Sequence, residues 1–365
     1  MTYYFYQYVY NRLAFRFAKS KSVPVVDVTQ FLSRKGDSSN ECGQVAEALH
    51  NYGAVCIKDP RVNDRHNVDF LDMMEKYFEN RAAKFYNDEK VEDIFPNYSY
   101  QVGATPEFVE KARTHTNVIR QYTKENEAYT PQPAPYDAKW RFFWPIDDSG
   151  KRTKDEDFKP PRFRPKDVPQ FGERMEQWGK MMINGCLTVA EMAARGMSIP
   201  ADTFTTRMQG GPHLLAPTGS DLDRHKLGTV FAGFHYDLNF LTIHGKSRYP
   251  GLYVWLRNGE RISVAVPEGH LLLQAGAQFD LLTGGYVTCG YHEVIYTDDA
   301  KKKYEENKKT GKSTWRVSST LFSHINSDVT LQPLDKFAKQ GLPDKYKPIK
   351  AFDQVQQELE AIKLK

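Results

Sequence analysis

Hydrophobic positions recur along this chain with two periods, and the period changes near residue 205. Before that point the spacing is helical. In the segment 168–195, Phe171, Met175, Trp178, Met182, Cys186 and Val189 return every three or four residues and form one apolar stripe. That stripe predicts a long core helix, with Gly196 placed to end it and Pro200 beyond. "ECGQVAEALHNYGAVCIKDP" (41–60) predicts an amphipathic helix ending at Gly53, then a buried strand over Ala54–Ile57. Residues 66–86 predict another helix. "VPVVDVTQFL" (23–32) opens with a short β-branched run, and Thr29 is placed to cap a helix. Residues 87–165, rich in Pro, Tyr and charge, read as loops with short elements, a length that is usually functional.

After residue 205 the chain breaks into short apolar runs separated by Gly and Pro: "TVFAGFHYD", "NFLTIHG", "GLYVWL", "RISVAVP", "HLLLQAG", "QFDLLTGG", "HEVIYT" and "RVSSTLFSHI". Such a series predicts a β-sandwich or jelly roll. The lysine-rich "DDAKKKYEENKKTGKST" (298–314) interrupts it and reads as a solvated loop or short helix. The expected class is α+β, a double-stranded β-helix core flanked by helices. Four regions follow: a basic aromatic tail (1–22), a helical and loop region (23–160), the long helix with the jelly-roll core (161–340) and a C-terminal tail or helix (341–365).

Composition narrows the function classes. The 365 residues are 40% apolar and 26% charged, as in a globular protein, with 22 Phe and 21 Tyr to fill packed sheets and an apolar pocket. A net charge of +4, evenly mixed, argues against nucleic-acid or membrane-surface binding. No apolar run reaches the ~20 residues that a membrane-spanning helix needs. Cys42, Cys56, Cys186 and Cys289 make no C-x-x-C pair, so reduced thiols in an intracellular compartment are the simplest reading. The N-terminal stretch is basic and acid-free up to Asp27. It is read either as a mitochondrial targeting segment or as an aromatic tail that docks on the domain or a partner, which leaves mitochondrial and cytoplasmic locations open.

The chemistry concentrates in "FHYDLNFLTIHG" (234–245). On a strand, His235 and Asp237 project to one face. A carboxylate facing a roll interior needs a partner, either a divalent cation or a basic side chain. His292, several strands later in "VTCGYHEVIYT", is the candidate third ligand. Two histidines and one carboxylate with open positions form the facial pattern of non-haem Fe(II) sites. "WRVSSTLFSHI" then places Arg316 and Ser318 on one strand face, a guanidinium fork with a hydroxyl beside it, suited to the distal carboxylate of a dicarboxylate cosubstrate. By parity His244 should face away from His235. His213, His225, His270 and His324 are expected at the surface or in packing, and Cys289 in a structural role. The expected pocket walls are residues 95–145 and 211–222, with Tyr98, Tyr100, Trp140, Phe142 and Phe143 as candidate lining side chains.

From "VPVVDVTQFL" to "VTLQPLDKF" the chain resembles the isopenicillin N synthase-like family of 2-oxoglutarate- and Fe(II)-dependent dioxygenases. The resemblance rests on the proline-flanked first strand, the long helix, "HYD" (235–237), "GYHEV" (290–294) and "RVS" (316–318). "YQVGATPEFVEKAR", "WRFFWPI" and "GPHLLAPTGSDL" resemble a eukaryotic branch of that family. The resemblance implies that His235, Asp237 and His292 hold iron and that Arg316 and Ser318 hold 2-oxoglutarate. O₂ would be consumed, succinate and CO₂ formed, and a C–H bond of a small-molecule substrate oxidised, by default hydroxylated. In one departure, no tyrosine or asparagine stands on "HLLAPTG" before H-x-D; in another, the 298–314 insertion lengthens the interval from His292 to Arg316. The alternative is a non-catalytic or bifunctional subunit of a larger assembly, with the N-terminal tail or the 298–314 insertion as the contact for a protein partner. An oxidase that dispenses with 2-oxoglutarate is disfavoured by Arg316 and Ser318.

Overall fold

A computed structural model of the chain describes residues 22–98, 100–113, 128–146 and 162–361. The expected N-terminal tail therefore lies, but for Ser22, outside the described residues. Its strands in chain order are β1 (Val25–Asp27), β2 (Ala54–Lys58), β3 (Gly103–Thr105), β4 (Trp140–Ile146), β5 (His213–Leu215), β6 (Thr218–Asp221), β7 (Val230–His235) and β8 (Leu241–His244). They continue with β9 (Leu252–Trp255), β10 (Arg261–Ser263), β11 (His270–Ala275), β12 (His292–Ile295), β13 (Trp315–Ser318), β14 (Leu321–Ser323), β15 (Thr330–Leu331) and β16 (Ile349–Lys350). The helices are α1 (Thr29–Ser33), α2 (Ser39–Tyr52), α3 (Asp64–Tyr86), α4 (Phe171–Gly196), α5 (Thr203–Met208), α6 (Ala277–Leu282), α7 (Asp298–Lys309) and α8 (Ala351–Ala361).

Two sheets make the roll. The larger runs β1-β2-β11-β8-β14-β5-β4-β6-β13, with β3 on β4; the smaller runs β10-β9-β12-β7. Only β1–β2 is parallel among the pairings of the larger sheet. Side-chain parity divides the larger sheet into two faces. Leu215, Leu321, Ile243 and Leu273 lie in one lateral row and are buried in the main core. Leu214, Phe322, Thr242 and Gln274 form the adjacent row and line a cavity instead.

Helices α2, α3 and α4 close the first face. The stripe expected on α4 is all buried: Phe171, Met175, Trp178, Met182, Cys186 and Val189. Each such side chain contributes roughly 1.5–3 kcal/mol of transfer free energy. Gly53 ends α2 in the left-handed region (φ 62), as the sequence led one to expect, because no Cβ opposes that turn. At the first helix the expected cap is replaced by another residue. Thr29 does not cap; Asp27 Oδ1 accepts its backbone N–H at 2.9 Å.

The region expected as loops holds a larger departure. β4 is seven residues long, buried throughout and central in the larger sheet. Its apolar residues alternate too weakly against Lys139 and Arg141 to announce a strand. The lysine-rich insertion is the helix α7, capped by Thr297. Among the described residues no helix is long and apolar enough to cross a membrane.

Candidate active site

A cavity of about 450 Å³ lies between the two sheets, lined by residues of both. His235 ends β7, and His292 opens β12 directly opposite it in register. Their rings sit 4.2 Å apart between centroids. Asp237 lies just past the end of β7, in the turn after it, and still aims at the pair. Its Oδ1 is 3.6 Å from His235 Nε2 and its Oδ2 is 3.9 Å from His292 Nε2. One ligand atom from each of the three falls within 4.8 Å of the others. The three residues expected to meet are therefore brought together.

The surroundings orient those atoms. His235 Nδ1 faces the Gly233 carbonyl at 2.6 Å, and His292 Nδ1 faces the Gly290 carbonyl at 3.1 Å. A carbonyl can only accept, so each Nδ1 carries the proton and each Nε2 keeps its lone pair. Thr242 Oγ1–H donates to Asp237 Oδ2 at 2.6 Å and fixes the carboxylate. Burial would raise the Asp237 carboxyl, but His292, His235 and the Thr242 hydroxyl outweigh it and hold it well below the usual range. Burial pulls the His292 imidazole down to about 4. Burial acts on His235 in the same sense, but Asp237 outweighs it and leaves that imidazole raised.

The turn bearing Asp237 is pinned from behind. Backbone N–H groups of Gly276, Ala277 and Gln278 donate to the carbonyls of Phe240, Asp237 and Asn239 at 3.0, 2.8 and 3.1 Å. Contact is so close that a Cβ on Gly276 would lie 2.0 Å from the Asn239 carbonyl oxygen and 2.9 Å from that of Asp237. On the other side of β12, buried Glu293 accepts from Tyr129 N–H, Thr130 N–H and Thr130 Oγ1–H, tying the 128–130 segment to the strand.

Across the cavity, β13 and β14 present Arg316, Ser318, Thr320, Phe322 and His324 by alternation. Arg316 is buried, its Nε–H donates to the Pro250 carbonyl at 3.1 Å, and among the described residues no carboxylate pairs with it. Burial lowers its guanidinium to about 10, still charged at neutral pH. A buried cation without an anion is costly, so this position suits an anionic group. Ser318 Oγ lies two residues on, sharing a hydrogen bond of 2.8 Å with Thr320 Oγ1.

Three solved structures share this architecture. One is a protein assigned to the 2OG-Fe(II) oxygenase family from Caulobacter crescentus: 20% identical, covering 94% of this chain and 100% of that one, TM-score 0.71. Another is a full-length Neurospora crassa protein in complex with alpha-KG and thymine: 18% identical, 94% and 98% covered, TM-score 0.65. A third is JOX2 in complex with 2OG, Fe and JA: 16% identical, 92% and 84% covered, TM-score 0.63. The chain has the fold of these oxygenases. No protein-family model and no curated protein matches the sequence.

The other histidines and aromatics meet their expectations unevenly. His244 does not face away from the site; it lines the cavity, with Nε2 3.3 Å from Gln274 Oε1. The parity argument failed because residues 236–240 leave the strand, which resets the alternation at β8. It is nonetheless outside the metal cluster. His213 and His324 are buried, in keeping with the packing expected of them, His213 Nδ1 accepting the His324 backbone N–H at 3.0 Å, although His324 also lines the cavity. His225 pairs with Glu107 at 2.8 Å. Of the five aromatics expected as pocket walls, only Phe143 lines the cavity. Trp140 and Phe142 face the helix side of β4 and pack on Phe85, Tyr77 and Phe171, while Tyr98 is exposed.

What the sequence reading missed is a buried ionic group at the β4 side. Lys139 and Arg141 project with Phe143 into the cavity. Lys139 pairs with Glu110 at 3.1 Å and with Asp137; Arg141 pairs with Glu110. Asp137 Oδ1 also accepts the Gly233 N–H at 2.9 Å, which braces the strand that carries His235. The available signal was the alternation Lys139, Arg141, Phe143 within "KWRFFWPI".

Proposed function

We propose that this protein is a non-haem Fe(II)- and 2-oxoglutarate-dependent dioxygenase of the isopenicillin N synthase-like type. The supporting observation is one cavity that holds both a His-Asp-His cluster and a buried, unmatched guanidinium. The donor set fits ferrous iron: two imidazoles with free Nε2 lone pairs and one ionised carboxylate are the combination that non-haem Fe(II) sites use. His235, Asp237 and His292 would hold the ion, and Arg316 with Ser318 would hold the distal carboxylate of 2-oxoglutarate.

Iron held by His235, Asp237 and His292 would supply O₂ activation, for an overall reaction in which R–H, O₂ and 2-oxoglutarate give R–OH, succinate and CO₂. The chain's own part is positioning. Gly233 and Gly290 carbonyls hold the imidazoles in one tautomer, Thr242 holds the carboxylate, and the sheets exclude water around the substrate C–H bond. In this reading the substrate is a small molecule, in keeping with the thymine bound to the Neurospora crassa protein and the JA bound to JOX2 in the structures described. The unpaired thiols support an intracellular location, in the cytoplasm or in mitochondria.

Anaerobically reconstituted protein given Fe(II), 2-oxoglutarate and O₂ should form succinate, coupled or uncoupled to a substrate. Asp237→Ala should reduce that to background. Wild-type protein that takes up iron and makes no succinate would contradict the assignment.

A further inference from the structure

A histidine outside the metal cluster stands beside the span that the cosubstrate would occupy. His244 and Thr242 are i, i+2 on β8 and share its cavity face. The Thr242 hydroxyl holds the Asp237 carboxylate, so His244 lies two residues, ~7 Å, along the strand from that contact. On its other flank β8 runs antiparallel to β14, with Thr242 against Phe322 and Ile243 against Leu321. One step further the same register sets His244 beside Thr320, and there the Gly245 N–H donates to Ser319 Oγ at 3.2 Å. Thr320 Oγ1 shares its hydrogen bond of 2.8 Å with Ser318 Oγ, and Ser247 Oγ–H donates to the Val317 carbonyl at 2.9 Å. The end of β8 is therefore tied to the strand that carries Arg316 and Ser318. In the dioxygenase reading 2-oxoglutarate reaches from the metal cluster to that strand, and His244 borders its path.

The ring has a polar atom to spare. Burial lowers the His244 imidazole to about 4, so at neutral pH one nitrogen carries a proton and the other a lone pair. Nε2 is engaged by the Gln274 amide, and Nδ1 has no hydrogen bond among the described residues. With Gln274 Oε1 on the ring, Gln274 Nε2 is buried without a partner and faces the Gly290 Cα–H, 3.7 Å from where a Cβ on Gly290 would lie. Buried N–H groups are rarely left orphaned, carbonyl oxygens less rarely. A half-turn of the amide about its last torsion, which is roughly two-fold, aims its N–H at His244 Nε2 and its oxygen at the Gly290 Cα–H. Nε2 then accepts, and the ring proton belongs on Nδ1.

Resting on the dioxygenase reading, we infer that His244 is a third contact for the distal carboxylate of 2-oxoglutarate, beside Arg316 and Ser318, and that Gln274 orients it. The Gln274 N–H donates to His244 Nε2, and His244 Nδ1–H donates to a carboxylate oxygen. His244 transfers no proton; it fixes the end of the cosubstrate that does not touch the metal.

The test uses the full chain loaded with Mn(II) and calorimetric titration of two ligands with the same 2-oxo acid end. 2-Oxoglutarate carries the distal carboxylate; 2-oxopentanoate has a methyl group in its place. His244→Leu should weaken 2-oxoglutarate about tenfold, the loss of one hydrogen bond to a charged group, and leave 2-oxopentanoate and Mn(II) within about twofold. His244→Asn, whose amide N–H stands near the place of Nδ1–H, should recover most of that loss, which a packing role would not produce. Gln274→Met, which keeps the ring but not its orientation, should also lower the ratio of 2-oxoglutarate to 2-oxopentanoate affinity, and it carries the test if His244→Leu does not fold. Unchanged 2-oxoglutarate affinity in His244→Leu, an equal loss for 2-oxopentanoate, or an unchanged ratio in Gln274→Met would each overturn the inference while wild-type binding of Mn(II) and 2-oxoglutarate left the enzyme assignment standing. Wild-type protein that takes up neither would overturn that assignment, and the inference with it.

Discussion

The metal end and the β4 end of the cavity satisfy their polar groups in different ways. At the metal end nearly every polar atom has a protein partner: Nδ1 atoms have carbonyls, the Asp237 carboxylate has Thr242, and what remains is a set of converging Nε2 and carboxylate lone pairs. At the β4 end the charges pair with one another, Lys139 with Glu110 and Asp137 and Arg141 with Glu110. Remaining lone pairs of mixed nitrogen and oxygen type suit a cation. A cluster whose charges pair internally asks for no counter-ion. Arg316 stands between these cases, a charge without a partner, and so suits an anion.

The sharpest break in that comparison comes at Arg316. Arg316→Ala should weaken 2-oxoglutarate about a hundredfold or more, since it removes two charge-assisted hydrogen bonds. Mn(II) affinity in the absence of 2-oxoglutarate should stay the same, and calorimetric titration of each ligand separates the two. An equal loss of both would mean that Arg316 supports the fold and does not read the cosubstrate.

A smaller effect is expected behind Asp237. Gly276→Ala forces a Cβ against the 237–239 turn and should cost about 1–3 kcal/mol in thermal or denaturant unfolding. Because that turn carries Asp237, a proposed ligand, metal affinity should fall with it. A loss of stability with metal affinity intact would show that the turn and the site are mechanically independent.

The smallest effect is a pH dependence of the metal-free protein. His244 and His292 are lowered to about 4 and His324 to about 3, in each case first by burial. An imidazole lowered in the folded state makes the unfolded chain the better proton acceptor between the unperturbed value of 6.5 and the lowered one. Stability should therefore fall as pH drops from 6.5 towards 4. His235, raised by Asp237, and Glu75, raised to about 7 by burial, act in the opposite sense, while His50, lowered by burial, acts with the three. Urea midpoints across that range would measure it, and a flat profile would mean that these histidines are solvated in solution.

The two ends also differ in how far the sequence disclosed them. His235 with Asp237 and Arg316 with Ser318 are i, i+2 pairs, and a strand converts that spacing directly into a shared face. The α4 stripe was legible for the same reason at helical period. His292 was within reach because a roll of short strands returns on itself. The β4 end was hidden, since Lys139 and Arg141 are partnered by Glu110 from a non-adjacent loop. A strand that places both charged and aromatic side chains inside gives no clean alternation. His244 shows the converse limit: parity holds only while the chain stays in the strand, and it leaves β7 at residue 236.

The most direct test is an anomalous difference map from crystals grown anaerobically with Mn(II) and 2-oxoglutarate. The account predicts a single metal peak within about 2.0–2.3 Å of His235 Nε2, an Asp237 oxygen and His292 Nε2, with the far carboxylate of 2-oxoglutarate on Arg316 and Ser318. A metal peak away from those three side chains, or a cosubstrate carboxylate that leaves Arg316 unpaired, would contradict it.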